Sequence, residues 1–260
     1  MSVDEQDGNL RASLARHRPG GETGILDRME TWRAISALNN AEWCDVICRS
    51  HGALTRLDDA AWTSPTRTPQ YYPDAVTLVP DLSVPDLLAR IDSSVGCSIK
   101  DSFASLNLTT HGFRVLFDAE WIVFPDARRL SKVGGPDWEF VRDVDDFATW
   151  VEAWRGEVGP TDVFRPEVLD HDSVAVLAAR SADRIVAGAI ATHSSNVVGI
   201  SNFFATEVNG SASWSGCLAL ARSHFACATF VGYESGEELA AAQRAGFRKA
   251  GPLRVWIRED

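Results

Sequence analysis

Hydrophobic and polar residues along the second half of the chain alternate with two periods, one typical of strands and one of helices. Short apolar runs separated by polar turns predict an antiparallel sheet, and stretches with apolar residues every three or four positions predict helices. The predicted elements are a strand at Trp138–Val144, a helix starting at Asp145, strands at Val174–Ala179, Ile185–Thr192 and Asn196–Val208, a helix up to Phe225, a strand at Ala228–Tyr233, a helix at Ser235–Ala245 and a strand at Phe247–Arg258.

The first half has a less regular pattern. Apolar residues recur at three and four positions from Ile25 to Cys48, which predicts one or two amphipathic helices with a break near Asn39 and Asn40. Further elements are a strand at Ala75–Val79, a helix at Val84–Ile91 and a strand at Phe113–Phe124.

Changes of composition divide the chain into four parts. A charged stretch without periodicity at residues 1–24 is interpreted as a flexible tail. Residues 25–125 form an N-terminal α/β domain, and a polar, glycine-containing stretch at 126–137 is interpreted as a linker. Residues 138–260 form the second domain.

Composition limits the class of protein. The chain has 260 residues, 45% of them hydrophobic and 23% charged, which is typical of globular proteins. No apolar run approaches the ~18 residues of a membrane span. The net charge of −11 disfavours nucleic acid and anionic membranes as partners.

The cysteines and the start of the chain predict a reduced, cytoplasmic protein. The five cysteines form an odd set without a pairing pattern, and the N-terminus lacks the apolar core of a signal peptide. Cys44, Cys48 and His51 stand at helical spacings, but no second ligand motif accompanies them. We interpret the two thiols as core residues and expect no metal.

The order of elements over residues 138–260 resembles the GNAT superfamily of N-acyltransferases. The segment Glu238–Trp256, ELAAAQRAGFRKAGPLRVW, resembles the family's closing helix, its Gly-Phe pair and its final strand. The resemblance implies a mixed α/β fold, with a V-shaped split between two central strands of the C-terminal half and a smaller α/β domain before it. It also implies transfer of an acyl group from a thioester donor, acetyl-CoA or another acyl-CoA, to an amine of a small molecule.

In such a fold the donor's amide-rich arm pairs with the strand Asn196–Val208, and its pyrophosphate meets the N–H groups that open the next helix. The donor-binding residues that the resemblance implies are Phe204, Ala205, Thr206, Val208, Gly210, Ser211, Ser213, Trp214, Ser215 and Gly216.

Several positions depart from the family's pattern. The phosphate loop, usually Gln/Arg-x-x-Gly-x-Gly/Ala, matches Ser211–Gly216, so that Trp214 stands at the first glycine and Ser211 at the leading cation or amide. The indole is therefore predicted to fill or reshape the donor pocket, and its replacement by glycine to leave donor binding intact or tighten it. Ala242 stands where the family has a general-acid Tyr, and Ser235 where it often has Asn.

Acyl transfer also needs a base for the amine and an acid for the thiolate. The candidates are Tyr233 and Glu234 at the tip of the divergent strand, Glu207 at the end of the central strand, and His193. For each there is a structural alternative: a solvated charge for the glutamates, a core-edge aromatic for Tyr233 and a turn residue for His193.

The N-terminal half offers one candidate for binding substrate. Lys100, Asp101 and Ser102 form a polar island between apolar runs. It is either a structural ion pair or a group that orients a polar acceptor. The half itself resembles a degenerate GNAT-like repeat that would cover the acceptor side.

Two other functions stay open. The altered loop is also compatible with a donor other than CoA, such as a carrier-protein thioester or an aminoacyl-tRNA, with Arg128, Arg129 and Lys132 as a local basic patch. The missing Tyr is also compatible with a catalytically silent GNAT-fold binding module.

Overall fold

The computed structural model describes residues 23–126, 136–194, 196–206, 210–225 and 229–259. These residues group into two compact units. The first takes in the described chain up to Thr68, then Tyr72–Trp121 and the stretch that starts at Ala250. The second consists of Pro69–Tyr71 and Ile122–Lys249, with the gaps given above.

The first unit combines helices with a sheet in the strand order β1-β2-β3-β4-β11-β5. Strands β3 and β4 are parallel, whereas β1–β2, β2–β3 and β4–β11 are antiparallel pairs. None of the helices within the described ranges is long and apolar enough to cross a membrane. The elements are α1 (Thr23–Ser50), β1 (Arg56–Leu57), β2 (Ala61–Thr63), β3 (Ala75–Thr77), α2 (Val84–Leu88), β4 (Ser98–Asp101), β5 (Phe113–Phe124) and β11 (Arg248–Arg258).

Helix α1 is continuous, and the predicted break near Asn39 and Asn40 is wrong. Both side chains are buried, and the Oδ1 atom of Asn40 accepts a hydrogen bond of 2.6 Å from the Lys100 ammonium. A buried amide with a charged partner is stabilised inside the fold, so it does not compete with the helical backbone. The helix passes through both positions because β4 supplies that partner.

The second unit has the predicted order of elements, β-α-β-β-β-α-β-α, with the start of β11 as the last strand. Its sheet order is β10-β9-β8-β7-β6, in which β9 and β10 are parallel and the other pairs antiparallel. This mixed sheet confirms the predicted fold class. The elements are β6 (Asp137–Val141), α3 (Val144–Arg155), β7 (Val174–Ser181), β8 (Arg184–Ser194), β9 (Val197–Ala205), α4 (Gly210–Phe225), β10 (Phe230–Glu234) and α5 (Gly236–Ala245).

Local signals explain where these helices begin and end. Asp143 caps α3, because its Oδ1 atom accepts the Asp146 N–H at 2.9 Å. Helix α5 ends at Gly246, whose φ of 110° suits glycine, and the Gly246 N–H donates to the Gln243 carbonyl. The following Phe247 then packs against Phe124 at a centroid distance of 5.6 Å.

Both faces of the second sheet are covered. Helices α4 and α5 pack on one face around a cluster that includes Trp214, Leu218 and Phe230. Helix α3 covers the other face, where the Trp150 indole N–H donates to the Leu177 carbonyl at 2.9 Å. The sheet is therefore the buried middle layer of this unit.

The two units divide the chain differently from the predicted domains at its C-terminal end. Residues from Ala250 onward group with the first unit because β11 pairs with β4, from Arg254 opposite Asp101 to Ile257 opposite Ser98. Of the predicted tail, residues 1–22 lie outside the described residues, and so do residues 127–135 of the predicted linker. The proposed repeat in the N-terminal half stays a prediction.

Candidate functional site

Strand β9 has a bulge at its centre. In the antiparallel register, Ser201 lies opposite Ile190 and Phe204 opposite Gly188, so that β9 advances one residue more than β8 over this interval. Asn202 has a φ of 53°, in the left-handed region where Asn is enriched. A bulge of this kind bends the strand and changes the direction in which its backbone groups point.

After the bulge, β9 turns part of its backbone away from β8. The Thr206 N–H donates to the Val186 carbonyl at 2.8 Å, so residue 206 faces β8. Backbone groups of successive strand residues point to opposite sides of the strand. The N–H and C=O groups of Ala205 therefore point away from β8.

On that side, β10 has separated from β9. The parallel pairing is confined to residues 198–199 of β9 and 230–231 of β10, although β9 continues to Ala205 and β10 to Glu234. This separation is the predicted V-shaped split. We call the space between residues 201–205 and 232–234 the β9–β10 cleft.

A glycine stands where the two strands begin to separate. A Cβ atom at Gly232 would lie 2.9 Å from the Ile200 carbonyl oxygen, a distance that real Cβ atoms almost never show. Residue 232 therefore has to lack a side chain, because the backbones of β9 and β10 approach closely there, immediately before Tyr233 and Glu234.

Helix α4 follows β9 and begins at Gly210. The first four N–H groups of an α-helix have no partner within the helix, and the helix dipole makes this end attractive to anions. The predicted phosphate loop at Ser211–Gly216 is thus already helical. Its N–H groups at the start of the helix are suited to an anion such as a pyrophosphate.

The structure places Trp214 in the core, contrary to the expectation that its indole fills the donor pocket. The side chain is 1% exposed and stacks on Phe203 with 4.0 Å between ring centroids, and Phe247 contacts it edge-on at 4.9 Å. Because α4 starts four residues earlier, position 214 lies on the helix face that covers the sheet.

Of the remaining candidates in the predicted donor loop, Gly216 has a packing role, and the serines lie in the first turns of α4. A Cβ atom at Gly216 would collide with the Trp138 indole, so this glycine allows β6 and α4 to pack closely. Ser213 is buried and Ser215 is half-buried. The side chain of Ser211 lies outside the described residues, as do Glu207 and Val208.

The catalytic candidate Glu234 lies at the tip of β10, beside the cleft. Burial, and to a smaller extent the negative charge of Glu238 in the first turn of α5, together raise the pKa of its carboxyl group from 4.5 to about 8. The Glu234 carboxyl group forms no hydrogen bond or ion pair with another residue of the described ranges. At neutral pH the group is therefore mainly a neutral carboxylic acid.

This raised pKa predicts how stability depends on pH. Between pH 4.5 and about 8 the folded protein holds a proton on Glu234 that the unfolded chain has lost, so the free energy of unfolding falls as pH rises. Glu234→Gln cannot titrate, so its free energy of unfolding should not show this decrease. The difference in free energy of unfolding between Glu234→Gln and wild type should therefore grow in favour of the variant by up to about 1.4 kcal/mol for each pH unit of increase in that window. Urea unfolding at several pH values measures the difference. Glu237→Gln, at an exposed position in the same turn, is the control, and a Glu234→Gln difference that is flat with pH would contradict the prediction.

Comparison with solved structures identifies the fold. A GCN5-related N-acetyltransferase (GNAT) from Kribbella flavida superposes with a TM-score of 0.60 at 14% sequence identity and covers 87% of this chain and 96% of its own. A functionally unknown conserved protein from Staphylococcus epidermidis ATCC 12228 gives 0.53 at 13% identity, covering 80% and 94%. A GCN5-related N-acetyltransferase-like protein from Streptococcus suis gives 0.51 at 15% identity, covering 80% and 88%.

The chain has the GNAT fold. Coverage of 87% is more than the second half of the chain alone provides, so the likeness extends into the first unit. No protein-family model matches the chain, and no curated protein sequence matches it. Structure rather than sequence therefore carries the relationship to the GNAT fold.

Within this GNAT fold, His193 lies far from the cleft. It pairs with Val198, at the end of β9 where β10 is still attached, and its ring stacks on Phe225 at 5.5 Å between centroids. Phe225 is the last residue of α4, whereas the anion-binding end of that helix is its first turn. His193 and Glu234 are therefore not brought together.

The donor-strand candidates contribute backbone rather than side chains. Phe204 packs its ring against Trp150 at 5.6 Å between centroids, on the α3 side of the sheet. The Thr206 hydroxyl donates to the Val186 carbonyl at 3.0 Å. Among the members of this group that the structure describes, the backbone of Ala205 is the part that faces the cleft.

The polar island at Lys100, Asp101 and Ser102 lies in the interior of the first unit. Lys100 is 4% exposed and the other two are fully buried. The Asp101 carboxylate accepts the Leu106 N–H at 2.8 Å, while Lys100 donates to Asn40 as described above. These contacts hold β4 to its neighbours and favour the structural alternative.

The cysteines next to His51 are interior thiols. Cys44 and Cys48 are both buried, and burial raises the pKa of the Cys44 thiol to about 11 and raises that of Cys48 as well. A thiol with a raised pKa is a poor metal ligand, since the thiolate is the binding form. No group of three potential ligands within the described ranges is placed to share a metal ion.

The sequence pattern did not reveal the bulge at Asn202. Asn202, one of two polar residues in the run Ile200–Ala205, was the available signal, because Asn adopts left-handed backbone more readily than most residues. A bulge is defined by the register of two strands, however, and that register is a property of the sheet.

Proposed function

We propose that the protein is an N-acyltransferase that moves an acyl group from an acyl-CoA to an amine of a small molecule. A fold alone does not define an activity, so the proposal depends on the site. The observation that carries it is the bulge at Asn202 combined with the separation of β9 and β10, which leaves strand backbone facing an open cleft beside the start of a helix.

The backbone of β9 suits the amide-rich arm of CoA. The N–H and C=O groups of Ala205 face the cleft, and an extended chain with amides can pair with them as an added strand does. The first turn of α4 would hold the pyrophosphate through the N–H groups of residues 210–213. Together these groups would set the thioester against the tip of β10.

The position of Trp214 supports CoA as the donor. Its indole packs below α4 in the core, so it does not occupy the anion-binding end of the helix. The altered loop was the reason to consider a carrier-protein thioester or an aminoacyl-tRNA, and that reason is weaker once Trp214 is a core residue. Two of the similar structures are named N-acetyltransferase or N-acetyltransferase-like, which supports acetyl-CoA as the first donor to test.

The acceptor is proposed from charge and chemistry. A net charge of −11 attracts a cationic amine and repels tRNA, so a small primary amine is favoured over a nucleic acid. The four described cysteines are buried free thiols, and on that ground we place the reaction in the reducing cytoplasm.

Isothermal titration calorimetry with acetyl-CoA and with longer acyl-CoAs tests the proposal. Binding followed by acyl transfer to a panel of primary amines is expected. Free adenosine diphosphate and pantetheine are the controls, since each carries one half of the donor and should bind more weakly. Failure of every acyl-CoA to bind would overturn the proposal, and binding without transfer to any amine or to water would leave the catalytically silent module as the function.

A further inference from the structure

We infer that Glu234 is the catalytic acid that protonates the thiolate leaving the donor. The inference deepens the proposed acyl transfer and rests on it, because it requires a thioester in the β9–β10 cleft. It assigns one proton-transfer step to one side chain at the tip of β10.

Glu234 lies on the face of β10 that α4 and α5 cover. Phe230, at the start of the strand, packs in the core cluster with Trp214 of α4 and Ala242 of α5. Residues two and four positions apart in a strand share a face, so Gly232 and Glu234 follow Phe230 on that side. The face that carries Glu234 is thus the one that holds α4, the helix assigned to the donor's pyrophosphate.

Other proton donors on this face are few near the tip of β10, since His224 lies in the last turn of α4, at the end opposite its first turn. Helix α5, with the sequence GEELAAAQRA, has no Tyr, Cys, Lys or His, and Ala242 is fully buried. Cys217 of α4 is fully buried, and burial raises the pKa of its thiol. Tyr233 projects from the opposite face of β10 by the same alternation.

The surroundings keep Glu234 in its acid form. Its half-buried position disfavours a charge, and Glu238 is the neighbour whose negative charge acts on it. Residues 201–205 of β9 and 122–124 of β5 carry no charged side chain, and the charged residue of β5 that precedes them is the half-buried Glu120. The other charged residues on α5 and α4 are Glu237 and Arg244, both exposed, and Arg222 and His224 in the last turn of α4.

The step balances without another reactant. The uncharged amine nitrogen attacks the thioester carbonyl carbon, the C–S bond breaks with its electron pair on sulfur, and the Glu234 carboxyl proton passes to that sulfur. The proton that nitrogen loses when the amide forms returns to the Glu234 carboxylate. The products are an amide and a free thiol.

The pKa of the Glu234 carboxyl group is close to that of the leaving thiol. A thiol has an ordinary pKa of about 8.5, and the pKa of Glu234 is raised to about 8. Proton transfer between groups of similar pKa is efficient near neutral pH, whereas a glutamate at its ordinary pKa would already be ionised. Glu238 would act as a positioning residue that keeps the acid protonated.

Four proteins test this inference: wild type, Glu234→Gln, Glu238→Gln and the control Glu237→Gln. Acetyl-CoA is the donor and hydroxylamine the acceptor, because hydroxylamine is already uncharged at neutral pH and adds no titration of its own. Protein-dependent release of the CoA thiol is expected to fall about 100-fold or more in Glu234→Gln. Calorimetry should give the same acetyl-CoA affinity for all four.

The pH profile separates catalysis from structure. Wild-type kcat should decrease as pH rises through about 8, and this decrease should move to lower pH in Glu238→Gln but not in Glu237→Gln. Carboxyl carbon NMR provides a readout that needs no turnover. The signal absent from Glu234→Gln should titrate at about 8 in wild type and at lower pH in Glu238→Gln.

The outcomes distinguish this inference from the function on which it rests. If acetyl-CoA does not bind, the proposed function fails and the inference fails with it. If acetyl-CoA binds but Glu234→Gln releases CoA at the wild-type rate, Glu234 is not the acid. The same conclusion holds if acetyl-CoA binds and none of the four proteins releases CoA. In both cases the proposed donor-binding site is retained. Titration of Glu234 near the ordinary pKa of glutamate would also overturn the inference.

Discussion

Trp214→Gly is expected to lower the free energy of unfolding by about 4 kcal/mol or more. Trp214 is 1% exposed and contacts Phe203 and Phe247 with its ring. Removal of a buried indole commonly costs about 3–5 kcal/mol, and glycine inside a helix adds about 1 kcal/mol. For a domain of marginal stability such a loss leaves little or no folded protein.

Urea unfolding followed by circular dichroism measures this loss. Trp214→Phe keeps an aromatic ring in the stack and should be clearly less destabilising. Ala219→Gly, at an exposed position of the same helix, isolates the cost of glycine in a helix, about 1 kcal/mol. A stable Trp214→Gly protein with unchanged or tighter acetyl-CoA binding would instead support the indole as an obstruction in the donor site.

Ala205→Pro is expected to weaken acetyl-CoA binding by at least about tenfold while the protein stays folded. Proline removes the one N–H group at position 205, which faces the cleft, and its ring fills the space where a paired strand would lie. The hydrogen bond of the next residue, from the Thr206 N–H to the Val186 carbonyl, belongs to the other edge of β9 and is not removed.

Calorimetry with acetyl-CoA measures the change, with the melting temperature as a check on folding. Ala205→Ser keeps the N–H group and a small side chain, so it should bind acetyl-CoA with nearly wild-type affinity. Equal affinities of the proline and serine variants would show that the donor does not pair with β9.

The order of elements in the second half was predictable because each element has its own local signal. The continuous apolar runs at 174–179 and 185–192 correspond to β7 and β8, and Asp143 and Gly246 mark a helix start and a helix end. Such signals depend on neighbours within a few positions, which is the range over which a sequence pattern can be interpreted. The break predicted in α1 failed because the partner of Asn40 is 60 residues away.

Trp214 shows how a short motif can mislead. When the segment Ser211–Gly216 is matched to the family's phosphate loop, Trp214 stands at the position of a glycine that lies beside a phosphate. Within a helix that begins at Gly210, it opens the apolar series Trp214, Cys217, Leu218 and Ala221, with the spacing of one helix face, and all four are buried in the same cluster. The periodicity was present in the sequence, but the start of the helix decides which interpretation applies.

For Glu234, the position could be predicted from the sequence but the protonation state could not. Its place at the tip of a divergent strand follows from the order of elements, so it could be nominated as a candidate from sequence alone. Its protonation state depends on burial and on the charge of Glu238, and both are set by how α5 packs on β10. His193 was also a catalytic candidate from the sequence. The tertiary structure places it at the other end of β9, away from the cleft.

For this protein, the sequence by itself determined the elements of the second half and their order, because helices and strands arise from local periodicity and capping, whereas it did not reveal the short strands β1, β2 and β4 of the first half. Only the tertiary structure decided the bulge at Asn202, the separation of β9 from β10, the burial of Trp214 and the acid form of Glu234. Each of these depends on the register or packing of segments that are distant along the chain, and free energies of desolvation and of backbone pairing are defined only once those segments meet.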